Sequence, residues 1–185
     1  MKLKKHWKGN SNDNYMTNKV TNALFVIYLL ALFWILILKL GVRFSYMGNR
    51  SVNLIPFGEP LISNGKADVG EIILNVVIFV PLGIYAGVLF KRWILINKLF
   101  FFLLISLMVE GLQFILSVGA FDITDIITNT VGGIIGLLIF GAIEKLFSNS
   151  VRAQKFIAIM ATIGTVLMIS LLLLLKLNML PVKYQ

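Results

Sequence analysis

The sequence predicts an all-α polytopic membrane protein, a bundle of five transmembrane helices with a long outer loop after the first. Apolar residues make up 58% of the 185 and charged residues 14%, and the mean hydropathy of +0.91 lies far above that of an ordinary soluble domain. Five hydrophobic runs hold about 19 to 22 residues each, enough at about 1.5 Å per residue to cross a hydrocarbon core near 30 Å thick. No stretch alternates apolar and polar residues long enough to build strands, and an open sheet in lipid would leave its backbone groups unpaired.

The elements follow in chain order. Residues 1–19 read as a basic cytoplasmic tail, with Lys2, Lys4, Lys5, Lys8 and Lys19, and its part from Lys2 to Asn18 is expected to be flexible. Val20 to Leu38 is the first helix. Lys39 and Arg43 follow it instead of a small-residue cleavage site, so it is expected to be an uncleaved anchor and not a signal peptide. Gly41 to Asp68 forms the long outer loop. Within it Arg50 to Phe57, RSVNLIPF, ends in an apolar cluster interrupted by Pro56, which suits either a lid over the bundle mouth or an anchor lying in the interface. The remaining helices are Val69 to Phe90, Leu99 to Val118, Ile123 to Ile143 and Phe156 to Leu175. They complete a transmembrane domain over 20–175, followed by a short tail over 176–185.

Two details concern packing. Pro81 should kink the second helix below Asn75, because it removes a backbone donor and crowds the preceding turn. The pairs Gly83/Gly87 and Gly132/Gly136 let helix backbones approach closely in lipid.

Basic residues set the expected orientation. With the N-terminus inside, the cytoplasmic segments hold Lys2, Lys4, Lys5, Lys8, Lys19, Lys91, Arg92, Lys98, Lys145, Arg152 and Lys155. The outside keeps Lys39, Arg43, Arg50, Lys66, Lys176 and Lys183. The bias predicts an N-inside, C-outside membrane protein. It also accounts for the net charge of +9 through anionic lipid headgroups, with no nucleic acid as partner. The absence of cysteine excludes disulfides, thiolate metal sites and cysteine nucleophiles.

Polar residues inside the hydrophobic runs carry the functional signal, because an ionisable group in a spanning segment is costly unless it faces a partner or a water-filled cavity. Glu71 and Asn75 start the second helix, Glu110 and Gln113 lie in the later half of the third, and Asp122, Asp125 and Asn129 start the fourth. All belong to one side of the membrane, and Asn75, Glu110, Gln113 and Asn129 fall roughly 6 to 12 Å below the same surface. Each set keeps helical spacing: Glu71 and Asn75 are four apart, Ser106, Glu110, Gln113 and Ser117 step by 4, 3 and 4, and Asp122, Asp125, Asn129 and Gly132 step by 3, 4 and 3. Three one-sided polar stripes should therefore face one another around a shared, outward-facing pocket. Plainer roles compete with this. Asp122 and Asp125 resemble a helix-capping pair, Glu71 sits in a first turn where the helix dipole favours a carboxylate, and Glu110 with Gln113 could simply bond helices together. The carboxylates lack metal-ligand spacing, so no metal site is predicted, and the pattern names no cofactor.

Four blocks now stand out: RSVNLIPF at Arg50 to Phe57, LNVVIFVPLG at Leu74 to Gly83, EGLQ at Glu110 to Gln113, and FDITDIITNTVGGIIG at Phe121 to Gly136. In order and spacing they resemble the VanZ-like membrane proteins, over a matching core of about 50–136. Family members often carry Asp-Ile-Asp-Asp where this chain has Asp122, Ile123, Thr124 and Asp125, and some have an arginine where Ala120 stands. The resemblance implies an association with resistance to the glycopeptide teicoplanin. On that expectation the pocket, with candidate residues Arg50, Asn53, Glu71, Asn75, Glu110, Gln113, Asp122, Asp125 and Asn129, would bind a lipid-linked cell-wall precursor, another cell-envelope ligand, or the lipid tail of the antibiotic. An intramembrane enzyme acting on a lipid or polyprenyl-linked substrate, with Glu110 or Asp125 as general base, is the second expectation. Against it, the one histidine is His6 in the tail. A structural or partner-binding protein whose stripes are glue is the third.

Overall fold

The computed structural model describes residues 11–38, 51–57, 62–63, 66–67, 69–147 and 150–176. Five helices dominate: α1 (Ser11–Leu38), α2 (Val69–Leu89), α3 (Leu95–Ile115), α4 (Ile123–Phe147) and α5 (Ser150–Lys176). Among the described residues four helices are long and apolar enough to cross a membrane, at Asn18–Leu36, Val69–Leu89, Leu95–Ile115 and Ile123–Phe147. This fits a multi-pass membrane protein, in which helices are favoured because they satisfy their own backbone groups without water. The fifth expected run, Phe156 to Leu175, is helical within α5.

Helix ends differ from the hydrophobic runs for local reasons. The helix α1 starts at Ser11, so residues 11–18 of the expected flexible segment are helical. Once a turn is nucleated each further residue adds a hydrogen bond, which carries a helix beyond its apolar part. At its other end α3 stops at Ile115, short of Val118. Ser117 takes a left-handed backbone with φ of 57°, its N–H donates to the Phe114 carbonyl at 3.2 Å, and the Val118 N–H donates to the Gln113 carbonyl at 3.0 Å. This paired closure is a Schellman motif with serine at the position that glycine usually takes, which explains why no sequence signal marked it.

Short ladders complete the fold. Strands β1 (Val52–Asn53) and β4 (Phe121–Asp122) pair in parallel, with Val52 opposite Phe121 and Asn53 opposite Asp122. Strands β2 (Ile62–Ser63) and β3 (Lys66–Ala67) pair antiparallel. The described chain divides into two compact units. Leu29–Ile143 forms one, and the described parts of Met1–Tyr28 and Glu144–Lys183 belong to the other. In the latter, Gln154 Nε2 donates to Asn18 Oδ1 at 2.6 Å, the Phe147 and Phe156 rings lie 5.1 Å apart, and Thr21, Ala153, Ile157 and Ala158 are buried.

Within Leu29–Ile143, glycines set how closely α2 and α4 approach. A methyl at Gly83 would overlap the Gly133 carbonyl oxygen and lie 2.8 Å from Gly136 Cα, and one at Gly136 would overlap the Val80 carbonyl oxygen. Gly132 meets the Val76 carbonyl in the same way. Gly83, Gly132 and Gly136 therefore act as the sequence suggests, since without a Cβ the backbones come into direct contact and gain dispersion where lipid offers no hydrophobic drive, whereas Gly87 makes room for the Phe140 ring. Helix α2 runs through Pro81 as a single element. Phe79, Leu82, Phe102 and Val109 are fully buried around this contact.

Candidate functional site

The close approach of α2 and α4 brings Asn75 and Asp125 together. Asn75 Nδ2 donates to Asp125 Oδ1 at 2.7 Å, and both residues are buried, 5% and 8% exposed. Polar groups this deeply buried are costly without partners, so the bond ties the register of the two helices.

Helix α3 joins from the other side. Asn129, four residues after Asp125, donates from Nδ2 to Ser106 Oγ at 2.9 Å, and both are buried. Further along α3, Glu110 is 2% exposed, and its Oε2 accepts the Asp122 backbone N–H at 3.3 Å. The Schellman closure after Gln113 makes this bond possible, because it turns the chain back so that β4 passes beside the last turns of α3. Gln113, also 2% exposed, donates from Nε2 to the Leu36 carbonyl of α1 at 2.9 Å. Among the described residues Gln113 Oε1 and Asn129 Oδ1 are buried without a hydrogen-bond partner. A buried carbonyl left unpaired costs about 1–3 kcal/mol, so these two oxygens are acceptors poised for a donor.

Asp122 does two jobs. Its Oδ1 accepts the Thr124 N–H at 2.7 Å, which caps the start of α4, and its Oδ2 accepts from Asn53 Nδ2 at 3.0 Å. The capping role weighed for Asp122 is therefore present, and it coexists with a tether. Asn53 Oδ1 also accepts the Ile55 N–H at 3.1 Å, the Phe57 N–H donates to Thr124 Oγ1 at 3.0 Å, and the Phe121 N–H donates to the Ser51 carbonyl at 3.0 Å. Segment 51–57 is thus laced along β4 and the first turn of α4. Thr124 supplies the acceptor oxygen that holds the end of this segment.

The same segment turns its apolar side chains outward. Val52, Leu54, Ile55 and Phe57 are all more than half exposed. The two expectations for RSVNLIPF are therefore compatible: its polar groups bind the cluster while its apolar ones face out.

Of the sequence-predicted residues, Asn53, Asn75, Glu110, Asp122, Asp125 and Asn129 come together in the first turns of α4 and the strand before it, whereas Gln113 reaches toward α1 through its bond to the Leu36 carbonyl. Glu71 is half-buried one turn before Asn75 on the same face of α2. Arg50 lies outside the described residues. Sequence reasoning passed over Thr128, whose hydroxyl donates to the Asp125 carbonyl at 3.2 Å, and the Leu36 carbonyl that holds Gln113. The first could have been suspected from its spacing of three. Nothing in the sequence points to a backbone carbonyl as a partner.

Losing the Asp122 carboxylate should release this assembly locally. Asp122→Ala is expected to cost about 1–2 kcal/mol through the lost cap and to accelerate hydrogen exchange at the Ile55 and Phe57 amides, while Asp122→Asn keeps most of the cap. Unchanged exchange in Asp122→Ala would show that the tether does not hold the segment.

Comparison with known proteins places the chain. The family model described as VanZ/LLP1 matches residues 25–144, which include every polar residue of the cluster. Protein VanZ of Enterococcus faecium is 36% identical over 156 residues, covering 83% of this chain and 91% of that protein. No solved structure matches the chain. Because the family match spans well over half of the sequence and the relative aligns along nearly its whole length, the chain belongs to the VanZ/LLP1 family.

Proposed function

We propose that the polar cluster at the start of α4, roofed by segment 51–57, binds a cell-envelope ligand, either a lipid-linked precursor or the lipid tail of a glycopeptide, and thereby lowers susceptibility to teicoplanin. The observation that supports this most directly is the pair of buried oxygens, Gln113 Oε1 and Asn129 Oδ1, that have no partner among the described residues. A purely structural cluster gains nothing from unpaired acceptors, whereas a ligand bearing hydroxyl, amide or ammonium donors would pair with them. The setting is a bacterial plasma membrane with the N-terminus cytoplasmic and the cluster opening outward, as the distribution of basic residues suggests. A tag placed within residues 41–68 tests this. It should be cut by protease added to intact cells, and protection would place the cluster on the other side.

A second reading has its own support. Asn75 with Asp125 and Ser106 with Asn129 bond helix to helix directly, as glue would. One experiment separates the two. Glu110→Gln, Asp125→Asn and Asn129→Ala are expressed in a susceptible bacterium, and teicoplanin susceptibility is compared with membrane abundance. Binding predicts lost resistance at unchanged abundance for Glu110→Gln and Asn129→Ala, whereas glue predicts that resistance and protein fall in parallel. Full resistance in all three variants would rule out the cluster as a site.

A further inference from the structure

The turn between α2 and α3 carries a second organised surface, distinct from the polar cluster. The Phe90 and Trp93 rings stack with centroids 4.4 Å apart, and Phe101 meets them edge-on at 5.4 and 6.0 Å. The Trp93 N–H closes the turn by donating to the Phe90 carbonyl at 3.0 Å. Lys91 Nζ lies 5.6 Å from the centre of the Phe140 ring, which packs against Gly87 where a side chain would collide with it. These contacts hold the turn in one geometry, so little ordering is needed when it meets a ligand.

Charge and shape on this surface are complementary to one class of molecule. From Ile72 to Val109 the sequence holds no carboxylate, while Lys91, Arg92 and Lys98 cluster at the turn and the start of α3. Arg92 is exposed and Lys98 half-buried. Beside them Trp93, Ile96, Asn97, Phe100, Phe101 and Leu104 line a groove of about 470 Å³. Its α3 members recur at helical spacing along one face. From Ile96 to Leu104 the groove descends roughly 12 Å along the helix axis, well into the hydrocarbon region. Phe100 and Leu104 remain exposed along it, as side chains that meet lipid do.

We propose that this surface binds an anionic glycerophospholipid, its phosphate held by Arg92 and Lys98 and one acyl chain lying in the groove. The basic groups select the headgroup charge, and the apolar groove selects a molecule with a hydrocarbon tail. Bulk bilayer contact would need only the groove. The predicted difference between anionic and neutral lipids therefore rests on the two basic residues, each worth about fivefold in affinity near an anionic surface.

The test uses the full chain in detergent, titrated with phosphatidylglycerol or with phosphatidylcholine of the same acyl chains, and followed by native mass spectrometry and thermal stability. The wild-type protein should retain phosphatidylglycerol about tenfold or more in preference to phosphatidylcholine. An Arg92→Gln/Lys98→Gln variant should lose that preference while melting normally in the neutral lipid, and Phe100→Ser should weaken both lipids alike. Equal retention of the two lipids by wild type overturns the proposal, as does an undiminished preference in the double variant. Stabilisation by soluble glycerol phosphate to the same extent also overturns it, since the ligand would then be a free phosphate. Should the double variant fail to fold, wild type alone decides. Raising the salt to roughly 0.5 M, where screening is strong, must shrink the preference, and a salt-insensitive preference overturns the proposal.

Discussion

Gly136→Ala is expected to lose about 2–3 kcal/mol of stability, the upper end of the range for overpacking. The added methyl would meet the Val80 carbonyl oxygen and lie 2.8 Å from Gly83 Cα, and neither is the movable end of a side chain. Relief requires α2 and α4 to move apart, which would stretch the 2.7 Å bond between Asn75 and Asp125. The steric and polar losses therefore arrive together. Gly141, on the same helix, has no atom of another element within 4 Å of the corresponding position among the described residues. Gly141→Ala should accordingly be neutral or stabilising by up to about 1 kcal/mol, since alanine suits a helix interior better than glycine. Thermal unfolding of the two variants in detergent makes the comparison. Equal melting temperatures would mean that the two helices are not in backbone contact.

The second large effect concerns that bond itself. Removing either partner takes a buried hydrogen bond from the other, so Asn75→Ala and Asp125→Ala should each cost about 2–3 kcal/mol. In lipid the loss falls toward the lower value, because the separated helices also find other partners. The double variant should cost less than the sum of the singles by about 1–2 kcal/mol, the coupling expected for residues in direct contact. Strict additivity in the cycle would contradict the geometry. Because Asp125 belongs to the proposed binding site as well, the cycle is best read from stability and not from resistance.

Much of this arrangement was legible in the residues. Polar side chains at steps of three and four on three consecutive apolar helices have few ways to avoid lipid, and facing one another is the most economical. That argument brought Asn75, Glu110, Gln113, Asp125 and Asn129 together without coordinates. It could not assign partners, since spacing gives a face of a helix but not the rotation and depth at which two faces meet. Asn129 pairs with Ser106 and Asn75 with Asp125, and a shift of one turn would have exchanged them. The end of α3 escaped notice because serine at a left-handed position leaves no mark in composition, whereas glycine would have. The segment around Asn53 was ambiguous because its polar and apolar groups point to different surroundings, and the structure uses both.

Class and contents can be read along the chain: long apolar runs that only helices can carry through lipid, two glycine pairs that invite close contact, and a set of polar blocks in a characteristic order. It took the packed structure to show that Gly83 and Gly136 meet, that segment 51–57 lies along β4 and the first turn of α4, and which buried oxygens have no donor among the described residues. The division has a physical cause. Hydrophobicity and helical periodicity act along the chain and can be read from it, whereas hydrogen-bond pairing depends on the distance between elements, which is set here by backbone contact between α2 and α4.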